Sequence, residues 1–207
     1  MVDYASFQQI PSTILANLLT RENVMAMEIR PLWQGMPRIA GSAYTVQCAP
    51  GDNLMVHAAI YRAEPGAILV IQAGDLEYAV AGGNVCAVAQ KRGIAAFIVD
   101  GVIRDVGEIR KLGFPVFARG LSPIPGGKNI THPLNMPIRC GNVNVFPGDV
   151  VVADEDGIVV VPRDRLTDLL KKAQTALAKE ASESLETWEA AHRSRIEAIL
   201  RDKGYVD

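Results

Sequence analysis

With 207 residues and a mass of 22.3 kDa, the chain has room for one domain with a sizeable core. A formal net charge of −2 and an isoelectric point near 5.9 leave no electrostatic footprint for nucleic acid. No stretch approaches about 18 uninterrupted apolar residues, which argues against a membrane span.

The opening Met1-Val2-Asp3-Tyr4 carries neither a basic nor an apolar segment, so no signal peptide is expected. Pro11-Ser12-Thr13 opens a helical pattern through Ile14, Leu15, Leu18 and Leu19. Gly41 to Cys48 has strand character, and Gly51-Asp52-Asn53 caps a helix over 54–63. Pro65-Gly66 is a turn before a short apolar strand, 67–72. Gly82-Gly83-Asn84 precedes a helix over 84–92, which Gly93 ends. Ala95 to Val99 reads as a buried strand stopping at a turn, Asp100-Gly101. Arg104 and Asp105 follow at its mouth, then a helix over 106–112 and a strand over 115–118. After Gly120 the texture changes to short β-branched runs punctuated by Pro147-Gly148-Asp149 and Asp154-Glu155-Asp156-Gly157, a small β layer closed by Pro162. From Arg163 to about Asp202 there is no Gly or Pro. Leu166, Leu169, Leu170, Ala173 and Leu177 share a helical face, and Leu185, Trp188, Ile196 and Ile199 continue it. This predicts one long helix or two in series, packed on its own domain or on a neighbouring subunit.

Chemistry concentrates in a few places. A guanidinium beside a carboxylate, Arg104-Asp105, can bind an oxyanion and a hard metal ion together. The plainer reading is a helix-capping Asp beside a surface Arg. Gly82-Gly83-Asn84 lets backbone N–H groups approach an anion at a helix start; the plainer reading is a tight loop. Gly126-Gly127-Lys128-Asn129 is not a phosphate loop, since Ser122 and Asn129 stand where Gly and Ser/Thr are required. It reads as a solvent loop whose Lys128 can border a site. Asp154 to Gly157 reads as a β-turn. His57, His132 and His192 form no zinc-spaced pair. Cys48, Cys86 and Cys140 form no Cys-x-x-Cys and are expected to be reduced and buried in a cytoplasmic protein.

Gly82-Gly83-Asn84 to Ala89, Arg92-Gly93, Val99-Asp100-Gly101 and Arg104-Asp105 resemble the central motif of the RraA-like proteins. Pro147-Gly148-Asp149 and Asp154 through Pro162 resemble their second signature. That family includes the 4-hydroxy-4-methyl-2-oxoglutarate / 4-carboxy-4-hydroxy-2-oxoadipate aldolases. The resemblance implies an α/β fold of three layers, β/β/α, of the swivelling-domain type over 1–162, with a helical extension over 163–207. It also implies a homo-oligomer, a trimer or a hexamer, with sites between subunits.

By the same resemblance Asp105 binds Mg²⁺ or Mn²⁺ through a water-filled shell, and Arg104 contacts the substrate keto oxygen. Backbone N–H groups of Gly82, Gly83, Asn84 and Val85 hold the pyruvyl carboxylate. The implied activity is metal-dependent C–C cleavage next to an α-keto acid, as aldolase or oxaloacetate decarboxylase, through pyruvate enolate. The other reading is a non-catalytic regulator that binds a ribonuclease. Gly83 stands where the aldolases often carry an acid that orders metal-bound water. Asp75 or Glu77 from the preceding loop is a candidate replacement, and Glu180 or Glu183 could answer to a further acid supplied by a neighbouring subunit.

Overall fold

The computed structural model describes residues 4–205; the reading for a leader falls largely on residues 1–3, which lie outside the described residues. The chain runs α1 (Tyr4–Gln8), α2 (Ser12–Leu18), β1 (Arg30–Pro31), β2 (Ile39–Gln47), α3 (Leu54–Ala59), β3 (Ile68–Gln72), α4 (Gly83–Lys91), β4 (Ala96–Ile103), α5 (Val106–Leu112) and β5 (Val116–Leu121). It continues through β6 (Ile138–Cys140), β7 (Val143–Val145), β8 (Val150–Ala153), β9 (Ile158–Val161), α6 (Leu166–Ser182) and α7 (Leu185–Asp202).

Seven strands form one mixed sheet in the order β1-β5-β4-β3-β2-β8-β9, while β6 and β7 pair separately. Strands β2 to β5 are parallel neighbours in chain order, so each crossover helix connects adjacent strands. Both central strands are buried on two faces, which is why their sequences are continuous apolar runs rather than alternating ones. Leu69, Ile71, Phe97 and Val99 point into a cluster with Val56, Cys86, Ala89 and Ile109 of the helices. Ile68, Val70, Ala96 and Ile98 point the other way, onto Cys140, Val143, Val151 and Val160 of the second β layer. Truncating one of these side chains, for example Ile98→Ala, is expected to cost about 3 kcal/mol. The expected three-layer β/β/α arrangement follows directly from this two-sided burial. A third cluster seats Phe7, Leu15, Leu166 and Leu169 on Val150, Val152, Val159 and Val161.

Two expectations are corrected. The strand expected to stop at Val99 continues to Ile103, with a shift of register against β5 between Val99 and Val102. Asp100-Gly101 is thus an irregularity inside a strand, not a turn. Long-range contacts explain it: a Cβ at Gly101 would collide with Ala73 of the adjoining loop, while Asp100 pairs with Arg119 and accepts the Gly141 N–H at 2.7 Å. The expected helix over 54–63 is regular only to Ala59 and finishes in turns.

The C-terminal pattern resolves into two helices. Ser184 starts α7, its hydroxyl accepting the Thr187 N–H at 3.2 Å. Helix α6 buries Leu166, Leu169 and Ala173 on its own domain, whereas α7 has no buried residue and leaves Leu185 and Trp188 exposed. No helix of the described residues is long and apolar enough to cross a membrane.

Candidate functional site

The loops leaving β2, β3 and β4 open at the same end of the parallel sheet, the usual place for ligands in α/β folds. A cleft of about 90 Å³ lies there. Gly82, Asn84, Val85, Arg104 and Asp105 line one part of it, and Asn53, His57 and Lys128 another, with Ala79, Ala81 and Pro125 completing the wall.

Asp105 has φ 61° and ψ 33°, the left-handed region, which Asp enters more readily than most residues and at a cost of roughly 1–2 kcal/mol. The conformation turns its carboxylate away from its own helix. Asp105 occupies the cap position of α5, yet its side chain makes no cap hydrogen bond. Instead Oδ2 accepts the Gly83 N–H at 3.0 Å and lies 3.6 Å from Arg104 Nε. Among the described residues Oδ1 has no hydrogen bond, and 39% of the side chain is exposed. The plain capping role is therefore replaced by one that leaves an oxygen free at the cleft.

The Gly-rich loop is shaped by these side chains. A Cβ at Gly82 would lie 2.5 Å from Asp105 Oδ2 and 3.1 Å from Arg104 Cγ. A side chain at 82 would displace the Asp105 carboxylate from this position, so glycine suits the close approach of the β4–α5 turn to the start of α4. Gly83 donates its N–H to Asp105 and is not free to bind a ligand through it. Asn84 and Val85 keep first-turn N–H groups with no intrahelical acceptor.

Position 83 holds a further surprise. A Cβ there would run into the Glu108 carboxylate. Glu108 stands one helical turn after Asp105, so its carboxylate reaches the space that a side chain at 83 would take. The four acids considered from sequence lie elsewhere. Asp75 accepts N–H groups of Gly51, Glu77 and Tyr78, and Glu77 does not line the cleft. Glu180 and Glu183 face a separate surface hollow beside Leu185 and Trp188. Glu108 was legible in principle, because three-residue spacing within the predicted helix 106–112 puts it beside Asp105.

Lys128 arrives from far along the chain. Asp52, 4% exposed, accepts the Leu54 N–H at 2.9 Å and the Asn129 N–H at 2.5 Å. Gly127 donates to Gly51 O at 2.7 Å and accepts from Asn53 N–H at 2.9 Å. These bonds stitch the loop over the cleft. Burial pushes the Asp52 carboxyl up, but the N–H groups of Asn129, Leu54 and Ile130 outweigh it and hold its pKa below the usual value. Burial, followed by the Lys128 charge, keeps His57 below its usual 6.5, so the imidazole facing the cleft is neutral near pH 7. Burial and then the Asp105 charge push the Cys86 thiol up to about 12, an inert thiol. All three cysteines are free and buried.

The cleft thus combines one lining carboxylate, Asp105, with two cations, a neutral imidazole and first-turn backbone donors, while Glu108 stands beside Gly83 outside the lining residues. Among the described residues no three His, Cys, Asp or Glu side chains cluster as a closed metal cage.

Comparison with known proteins bears on this arrangement. The Aldolase/RraA model of RraA-like proteins matches residues 11–160. A Halalkalibacterium halodurans protein provisionally named a 4-hydroxy-4-methyl-2-oxoglutarate aldolase is 37% identical over 202 residues, covering 97% of this chain and 92% of that protein. The 4-hydroxy-4-methyl-2-oxoglutarate aldolase of Thermus thermophilus is 28% identical over 152 residues, 73% of this chain and 92% of that one. Among solved structures, Streptomyces coelicolor RraAS2, described as an unusual member of the RNase ES inhibitor RraA family, superimposes with a TM-score of 0.75 at 28% identity. That match covers 93% of this chain and 96% of the other. On the match over residues 11–160, with both signature motifs in place, this chain belongs to the RraA-like family.

Proposed function

We propose that the protein is a divalent-metal-dependent lyase that cleaves a C–C bond next to an α-keto acid, with 4-hydroxy-4-methyl-2-oxoglutarate as the type substrate. The observation that carries this reading is the Arg104–Asp105 turn, where one carboxylate oxygen stays free beside a guanidinium and the open N–H groups of α4. The donor set fits Mg²⁺ or Mn²⁺: hard oxygen ligands, few in number, with room for water. Asp105 is the residue that would hold the ion, with Glu108 next to it. When bound, the ion would polarise the keto oxygen and acidify a water.

The chain's own groups account for the rest. Asn84 and Val85 N–H, at the positive end of α4, receive the substrate carboxylate. Arg104 faces the keto oxygen and meets the negative charge that builds there as the bond breaks and pyruvate enolate leaves. One such donor is typically worth roughly 10²–10³ in rate. Glu108 serves as the acid missing at Gly83, holding a water that accepts the substrate's hydroxyl proton. Oxaloacetate decarboxylation passes through the same enolate without that deprotonation. We take the working form to be a homo-oligomer, trimer or hexamer, which light scattering on the purified protein tests.

The experiment is pyruvate release from 4-hydroxy-4-methyl-2-oxoglutarate and from oxaloacetate, with Mg²⁺ and then with EDTA, corrected for metal alone. EDTA-sensitive turnover of either compound supports the lyase; silence on both from folded protein defeats it. A second reading is a non-catalytic regulator, favoured by the likeness to a protein described within an RNase-inhibitor family. Pyruvate release separates the two.

A further inference from the structure

Asn53 stands at the cap position of α3, where an Asn side chain ordinarily accepts a hydrogen bond from its own helix; here it makes none. The residue is only 4% exposed, and its Oδ1 is the one buried side-chain polar atom without a partner among the described residues. Nδ2 donates to Ala79 O at 3.4 Å. Turning the amide over would set carbonyl against carbonyl, so its orientation is fixed with the oxygen on the other side. Asn53 lines the cleft together with Arg104 and Asp105. Buried polar atoms are almost always satisfied, so an unpaired one on a residue lining a cleft calls for a partner that the protein itself does not supply, whether a water, an ion or a ligand group.

That partner must be a hydrogen-bond donor. At neutral pH the carboxylates and keto oxygen of an α-keto acid are acceptors only, and they would be repelled by an amide oxygen. The one donor on a hydroxy-keto acid is its hydroxyl. We propose that Asn53 Oδ1 accepts a hydrogen bond from the substrate's hydroxyl and thereby sets the preference of the cleft for hydroxy-keto acids over keto acids without one. The proposal deepens the lyase reading and rests on it. The amide oxygen is too weak a base to take the proton; it orients the hydroxyl for the group that does. Oxaloacetate offers no such hydroxyl and leaves Oδ1 unpaired or bound to water.

Asn53→Leu keeps the approximate shape and removes the acceptor, while Asn53→Asp retains one. Neither deletes a helix cap, since the side chain provides none. The ratio of kcat/KM for 4-hydroxy-4-methyl-2-oxoglutarate over oxaloacetate should fall roughly 10- to 100-fold in Asn53→Leu and recover in part in Asn53→Asp. Equal losses on both substrates, or no change in the ratio, overturn the proposal. If the wild type cleaves neither compound, calorimetry with 4-hydroxy-4-methyl-2-oxoglutarate and 4-methyl-2-oxoglutarate decides separately. Tighter binding of the hydroxy compound, lost in Asn53→Leu, upholds hydroxyl recognition while the lyase reading falls. No preference between the two overturns the recognition as well.

Discussion

Asp105 and Asp154 sit in the two signature motifs of this chain, and the fold treats their carboxylates in opposite ways. Asp154 is 8% exposed and saturated: it accepts Ser12 N–H at 2.9 Å, Ser12 Oγ–H at 2.5 Å, Arg38 Nε at 3.0 Å and Asp156 N–H at 3.2 Å. It pins the start of α2 to the β8–β9 turn. Asp105 is half-open, held by one N–H on a left-handed turn, with an oxygen unspent. A side chain whose every acceptor site is used can hold structure together but has nothing left for a ligand. Motif membership alone does not distinguish the two; the hydrogen-bond inventory does.

The contrast is broken most sharply by paired alanine variants. Asp105→Ala or Arg104→Ala should lower kcat/KM for pyruvate release by at least about 10²–10³-fold. Both side chains are about two-fifths exposed and neither supports the core, so the melting temperature should stay close to wild type. Asp154→Ala should do the reverse. Removing it strands Arg38 and the Ser12 donors in a largely buried setting, at a cost of about 3 kcal/mol. In a chain of this length that corresponds to a fall in Tm of roughly 6–12 °C. Residual activity at permissive temperature should remain near normal. A folded Asp105→Ala protein with full turnover, or an Asp154→Ala protein with unchanged Tm, would erase the distinction.

A smaller effect sharpens the site itself. Glu108→Ala should slow hydroxy-keto acid cleavage by roughly 10- to 100-fold, at or below the lower end of what loss of a general acid–base group costs, since Glu108 acts through a held water. Gly83→Asp alone forces the Glu108 carboxylate aside. Combined with Glu108→Ala, it has the space and returns an acid to that spot, so the double variant should outperform Glu108→Ala. If the double variant is no better, the two positions are not interchangeable sources of the same carboxylate.

Local signals carried much of this. Helix α5 has the same limits in sequence and structure, because Asp105 and Gly113 bound it with left-handed residues at both ends. The Asp100-Gly101 turn failed for a non-local reason: Ala73, Arg119 and Gly141, none adjacent in sequence, make that dipeptide part of a strand. Lys128 bordering the cleft and Asn53 facing it likewise depend on bonds across 77 and 78 residues, from Asp52 to Asn129 and Ile130. Glu108 differs from these. Its three-residue spacing from Asp105 is local and visible in the sequence, and its carboxylate occupies the space that a side chain at position 83 would take.

The finest test of the comparison uses pH. Burial raises the Asp154 carboxyl, but the Ser12, Arg38 and Asp156 donors outweigh it, and its folded pKa lies below the ordinary 3.8. A depressed folded pKa contributes stability that is complete above the unfolded value and is lost as pH falls through the folded one. Asp52 has the same sign. Asp149, raised mainly by burial, has the opposite one: its contribution is present in acid and lost as pH rises. Acid denaturation of the wild type alone therefore mixes these groups with others, among them Asp75, whose carboxyl is also depressed. The difference between wild type and Asp154→Asn isolates one group, since the others titrate alike in both proteins. Urea unfolding should show that difference steady near pH 6 and narrowing toward about pH 3 as the wild-type carboxylate takes up its proton. A difference that held constant over that range would mean that Asp154 contributes through shape and neutral hydrogen bonds, not through its charge.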